Sequence, residues 1–252
     1  MPAPQEQRDL DAKSRLIVAL DVDSASKARS LMDELGSSVG AFKIGLQLFT
    51  SAGPVLVRSA AEAGHRIFLD LKFHDIPNTV AMAAVEAAKL GVWMFNVHAL
   101  GGGEMMKRTF FEVAETCERE NLSRPKIIAV TILTSSDAND LNRIGIEQDV
   151  ESTVANLARL AARSGLDGVV ASAREAERIK RDAGTQDFIV VTPGIRPTSA
   201  TSDDQKRVMT PTDALRSGSD YLVVGRPITD SKDRLNAVDA ILGEMNAALE
   251  IN

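Results

Sequence analysis

Cysteine is almost missing from this chain of 252 residues, and the one thiol, Cys117, excludes an internal disulfide and any cysteine-rich zinc site. Histidine is nearly as scarce. His65, His74 and His98 are the whole supply, and they show no metal-ligand spacing. No uninterrupted apolar run approaches the length of a membrane span. Residues 1–14 are polar and charged, with no apolar core for a signal peptide, so the expected location is cytoplasmic. Positive charge is not in excess. A net charge of −6 argues against a broad nucleic-acid or anionic-membrane surface, while leaving room for a local anion pocket. What remains is an ordinary globular composition, 44% hydrophobic and 25% charged, with ample core.

Strand-like runs recur along the whole chain, at 15–21, 40–46, 66–72, 93–99, 126–132, 168–172, 189–193 and 221–225. Amphipathic or alanine-rich stretches lie between them. Ser172 to Glu175 reads as a capping box, Thr210-Pro211 as an N-cap followed by proline at the first helical position. Val150, Val154, Leu157, Leu160 and Ala161 fall on one helical face. Eight strands alternating with helices over this length predict a (β/α)₈ barrel, of the α/β class, as a single domain over 1–252 with 1–14 as a polar N-terminal extension. The structural rival is a doubly wound open sheet. No Gly-x-Gly-x-x-Gly follows the first strand to support it. Two connections are long: 133–149, with a short helix expected around 137–144, and 194–210, which reads as a lid or binding loop.

Charge sits where burial is expected. Asp21 closes the run Leu16-Ile17-Val18-Ala19-Leu20, Lys43 follows Ala41-Phe42, and Asp70 and Lys72 follow Ile67-Phe68-Leu69. Burying one charge costs several kcal/mol, about what makes an accidental cluster there improbable. Two residues apart on one strand, Asp70 and Lys72 point to the same face as Phe68, at the C-terminal rim where barrel enzymes work. A lysine between carboxylates is suited to donating a proton rather than to forming a Schiff base. The alternatives are a structural ion-pair network and a divalent-metal site built from Asp21, Asp70 and Asp75, in which two lysines would compete with the metal. Asp75 lies beyond the strand, and a helix-start acid is its simplest reading.

Barrels often bind phosphate after strands seven and eight. Those ends read Thr192-Pro193-Gly194-Ile195-Arg196-Pro197 and Val224-Gly225-Arg226-Pro227, which pair close backbone approach with a guanidinium and so point to a phosphorylated substrate. A surface ion pair is the bland reading of Arg226. Thr134 and Ser135 can bond a substrate or cap the short helix; His98 fits a core or a catalytic role; Trp93, Tyr221, Met105 and Met106 read as packing.

These segments together resemble the orotidine 5′-monophosphate decarboxylase family, in its shorter bacterial form. The resemblance is carried by Ala19-Leu20-Asp21, Phe42-Lys43-Ile44-Gly45, the twelve residues from Phe68 to Thr79, Asn96-Val97-His98-Ala99, Leu133-Thr134-Ser135, the Thr192–Pro197 run, Asp204-Gln205 and Gly225-Arg226-Pro227. It implies a cofactor-free, metal-free decarboxylation of orotidine 5′-monophosphate to uridine 5′-monophosphate in a homodimer whose active site is shared. It further implies catalytic roles for Lys72, Asp70, Asp75 and Lys43, with Lys72 protonating C6. Asp21 and Lys43 would contact the ribose, Thr134 the pyrimidine, Gln205 both base and phosphate, and Gly225 and Arg226 the phosphate. Arg196 would belong to the closing loop, and Asp75 and Thr79 would come from the partner. The rivals are a magnesium-dependent sugar-phosphate decarboxylase or epimerase on the same barrel, and a non-catalytic nucleotide-binding regulator.

Overall fold

The apolar runs become short parallel strands because both of their faces are covered, one by helices and the other by the opposite wall of a barrel. In the computed structural model, which describes residues 11–184, 187–198 and 209–250, the elements begin with α1 (Ala12–Arg15), β1 (Leu16–Ala19), α2 (Ala25–Leu35), β2 (Ala41–Gly45), α3 (Leu46–Glu62), β3 (Ile67–Phe73), α4 (Pro77–Lys89) and β4 (Met94–His98). After a 3₁₀ turn at Ala99–Gly101 come α5 (Gly102–Arg119), β5 (Lys126–Val130), α6 (Ala138–Arg143), α7 (Val150–Arg163), β6 (Gly168–Val170), α8 (Ala173–Asp182), β7 (Ile189–Thr192), α9 (Pro211–Arg216), β8 (Tyr221–Val224), α10 (Arg226–Thr229) and α11 (Arg234–Leu249). Each strand pairs in parallel with the next, and β8 pairs back onto β1 to close the barrel. The expected (β/α)₈ architecture is present.

Two apolar cores follow from the period of two along each strand. Leu16, Val18, Phe42, Ile44 and Leu69 face outward into the layer shared with the helices. Ile17, Ala41, Phe68, Met94, Ile128, Ile189, Tyr221 and Val223 point inward and fill the barrel. Packing inside is tight enough to select a glycine: a Cβ on Gly168 would lie 2.2 Å from the Ile189 carbonyl oxygen. At the N-terminal floor Arg66 lies over the Trp93 ring at 3.9 Å, and Trp93 meets Tyr221 edge-on at 5.2 Å.

Most strands are one to three residues shorter than the sequence runs, and the trimmed residues lie mainly at the C-terminal end, where the chain leaves the ladder to build the rim. Asp21 therefore stands two residues beyond β1, while the Leu20 amide still donates to the Lys43 carbonyl at 2.9 Å. The described part of the polar N-terminal segment is packed rather than extended: Asp11 caps α1, and Ala12 is buried. Helix starts follow their local signals. Thr210 accepts from the Asp213 amide with Pro211 at the first position. Ser172 caps α8 through the Arg174 amide instead of that of Glu175, so the cap lacks the expected box geometry. A true capping box occurs at Asp137 and Asp140, starting the short helix anticipated in the 133–149 connection.

Candidate active site

Three neighbouring strands carry the charged residues to one place. Phe68, Asp70 and Lys72 lie on the inward face of β3, while Leu71 and Phe73 pack outward against the helix layer. The Lys72 ammonium donates to Asp70 Oδ1 at 2.7 Å. Lys43, from β2, reaches Asp21 Oδ1 at 3.1 Å and Asp70 Oδ2 at 3.4 Å. The result is an alternating chain of acid, lysine, acid, lysine. Its centre is the better buried part: the Asp70 and Lys43 side chains are 13% and 12% exposed, against 60% for Asp21. Gly45 keeps the path of Lys43 clear, because a Cβ there would stand 3.0 Å from Nζ.

The strand is not regular where it matters. Lys72 has φ of 53°, in the left-handed region that non-glycine residues seldom enter. Its amide donates to Asn96 Oδ1 at 2.8 Å, and Asn96 Nδ2 donates to Asp70 Oδ1 at 2.7 Å. Sequence reasoning gave Asn96 no role. A signal was available: it is the polar residue in the inward phase of an otherwise apolar run, two residues beyond Met94.

A cavity of about 180 Å³ opens beside this cluster. Lys43, Asp70 and Lys72 form its polar wall, and Phe68, Val130, Ile132, Val170, Pro193 and Val223 its apolar one; Thr134 and Leu133 come from the loop after β5. A flat ring with a polar edge fits such a lining. Between Asp21 and Asp70 the Lys43 ammonium occupies the position a cation would take, and among the described residues no group of three or more His, Cys, Asp or Glu side chains is placed to hold a metal.

The remaining candidates fall into two groups. Gly225 and Arg226 begin α10 at the rim, with Gly225 so near Asp21 that a Cβ would sit 3.5 Å from its carboxylate. Arg196 is buried, its guanidinium donating to the Ile195 carbonyl and its amide to that of Met209. Gln205 lies outside the described residues, as do 199–208 of the long connection. The structure does not join Asp75 and Thr79 to this cluster within one chain. Both are exposed, Asp75 in the β3–α4 turn, where it accepts the Ile76 amide at 2.6 Å, and Thr79 in the first turn of α4. His98 stacks on His74 at 5.2 Å; burial, then the charges of His74 and Lys72, lower its pKa to about 4.

Residues 14–241 match the family described as Orotidine 5'-phosphate decarboxylase / HUMPS. The chain belongs to this family. It is 51% identical over 239 residues to the orotidine 5'-phosphate decarboxylase of Geotalea uraniireducens, covering 94% of this chain and 97% of the relative. The orotidine 5'-phosphate decarboxylase of Moorella thermoacetica is 50% identical, with 96% of each chain covered. Among solved structures, the family member from Lactobacillus acidophilus superimposes with a TM-score of 0.80 at 40% identity, over 92% of this chain and 98% of that one.

Proposed function

We propose that the charged rim decarboxylates orotidine 5′-monophosphate to uridine 5′-monophosphate in pyrimidine biosynthesis, with no metal or organic cofactor. The observation that carries this reading is the Lys72–Asp70 pair, 2.7 Å apart over a cavity with one polar and one apolar wall, in a chain half identical to named decarboxylases. When the bond from C6 to the carboxylate breaks, carbon dioxide leaves and the electron pair stays on C6, in the plane of the ring. The ring's π system cannot spread it, so the protein must stabilise it electrostatically. The Lys72 ammonium lies ready for that charge, gives its proton to C6, and is recharged from solvent. Asp70 holds Lys72 and stands beside the departing carboxylate. Most of the barrier reduction rests on the lysine and its preorganised partners rather than on repulsion from Asp70.

The other roles follow the family resemblance. Lys43 and Asp21 take the ribose hydroxyls, Thr134 the pyrimidine, Gly225 and Arg226 the phosphate, and Gln205 both base and phosphate, with Arg196 in the closing loop. The working unit is a cytoplasmic homodimer in which Asp75 and Thr79 enter the neighbouring subunit's site. What supports this is their exposure beside Ile76, an isoleucine 66% exposed, and among the described residues Asp75 pairs with no cation of its own chain. No helix among the described residues is long and apolar enough to cross a membrane.

The test is the ultraviolet absorbance of orotidine 5′-monophosphate mixed with the protein in excess EDTA. A rapid change to the spectrum of uridine 5′-monophosphate is expected. Activity that appears only on adding magnesium would transfer the assignment to the metal-dependent sugar-phosphate class. Nucleotide binding without turnover would make the chain a regulator.

A further inference from the structure

We infer that Asn96 is a positioning residue that sets the Asp70 carboxylate and the Lys72 backbone together, an inference that rests on the decarboxylase reading above. Its starting point is a mismatch between two strands. Leu69 pairs with Phe95 and Phe73 pairs with Val97. Between these pairs β3 holds Asp70, Leu71 and Lys72, while β4 holds Asn96 alone. The extra residues of β3 bulge, and bulges re-aim side chains near active sites. Here the re-aimed residues are the acid and the lysine of the proposed chemistry.

Asn96 closes the gap that the bulge opens. It is fully buried and uses both ends of its amide, Nδ2 donating to Asp70 Oδ1 and Oδ1 accepting from the Lys72 amide, at 2.7 and 2.8 Å. The two ends are not interchangeable, because a carboxylate only accepts and an amide N–H only donates. Asn96 therefore fixes the carboxylate plane of Asp70 and the left-handed backbone of Lys72 with one rigid group. A non-glycine residue stays in that conformation only where its surroundings determine it. Asp70 Oδ1 also receives the Lys72 ammonium at 2.7 Å, so the lysine is held from its backbone and from its tip. Asn96 itself does not line the cavity beside Asp70 and Lys72.

Asp in place of Asn has almost the same shape but a switchable donor. Protonated, Asp at position 96 still donates to Asp70 and accepts from Lys72. Ionised, it can only accept, and it repels Asp70. The charged and titratable groups facing this position are Asp70 and Lys72 on β3, Lys43 behind Asp70 on β2, and His98 two residues along β4; Ile128, opposite on β5, is apolar. Turnover by N96D relative to wild type should therefore rise several-fold as pH falls from about 8 to about 5, since burial beside a carboxylate favours the neutral acid. N96A should lower kcat about 10²-fold, the cost of a misplaced reacting group, while affinity for uridine 5′-monophosphate changes by less than about three-fold. A flat N96D-to-wild-type ratio across that pH range would overturn the inference, as would kcat and nucleotide affinity falling in parallel. If N96A does not fold, the N96D ratio decides alone. Wild-type protein in the same assay separates the two readings. An inactive wild type removes the decarboxylase reading, whereas active wild type with indifferent variants removes only the role of Asn96.

Discussion

Both ends of the barrel carry buried or half-buried ion pairs, and they are built on opposite principles. At the N-terminal floor, Asp167 receives Arg124 in a two-point grip at 2.7 and 2.9 Å and also accepts the Ile127 amide at 2.7 Å. Asp220 repeats the device, with Lys180 at 2.6 Å and the Val190 amide at 2.7 Å. Each acid sits two residues after a glycine of positive φ, Gly165 or Gly218, that turns a helix into the next strand. Among the described residues each pairs with one cation, and each accepts an amide near the start of a neighbouring strand, so the charge serves the sheet. At the rim the arrangement is shared instead of closed. Asp70 takes donors from β2, β3 and β4, Lys43 lies between two acids, and Lys72 has a backbone that the sheet does not favour. A charge that serves the fold is closed into one pair at the start of a strand, while one that serves chemistry is shared among several strands and left facing a cavity.

The sharpest way to break this comparison is to remove a charge from the rim. Lys72→Ala should abolish turnover, by at least about 10⁴-fold, in a protein that remains folded, because both the electrostatic partner of C6 and the proton are lost. Circular dichroism together with the absorbance assay checks it, and substantial residual decarboxylation would refute the proton-donor assignment. Next comes the split site. Lys72→Ala and Asp75→Asn should each be inactive alone, yet mixing them with subunit exchange should recover roughly a quarter of the wild-type sites, since half of the dimers then hold one intact site of two. No recovery after verified exchange would place Asp75 outside the shared chemistry.

The contrast between the two ends also explains what could be read from the sequence. Runs such as Leu16 to Leu20 and Ile127 to Val130 are apolar in every position because both faces are covered, which made the barrel legible. Asp21, Lys43, Asp70 and Lys72 stood out as charges at the ends of such runs. Asn96 did not, because its role depends on partners 24 and 26 residues away that only the pairing of β3 with β4 brings near. The bulge was equally hidden: strict alternation put Lys72 on the correct face, but nothing in Leu71-Lys72-Phe73 announces a left-handed lysine. The floor acids passed unnoticed for a different reason. Asp167 and Asp220 precede their strands and so looked like ordinary turn residues.

Removing a floor charge should do the reverse of removing a rim charge. Asp167→Ala leaves Arg124 without its carboxylate and the Ile127 amide without its acceptor, an arrangement that should cost about 2 kcal/mol of stability. Turnover per folded molecule should stay near the wild-type value. Urea denaturation followed by Trp93 emission reads the first quantity, since this tryptophan lies in the floor beneath Arg66, and the absorbance assay reads the second. A fall in kcat with unchanged stability would mean that the two ends are coupled and that the division between them is wrong.

The smallest expected effect comes from the histidine pair beside the rim. Burial, with His74 and Lys72 adding, holds the His98 imidazole neutral down to about pH 4, whereas in the unfolded chain it titrates near its ordinary value of 6.5. Between those two values the unfolded state binds the proton and the folded state does not, so this group makes stability fall as pH is lowered from about 6.5 towards 4. His98→Gln removes the titration and should flatten the slope of stability against pH in that window, while leaving the alkaline side unchanged. Denaturation midpoints measured at several pH values for both proteins check it. An unchanged slope would show that His98 is protonated in the folded protein, and the stacked pair with His74 would then carry charge next to Lys72 instead of insulating it.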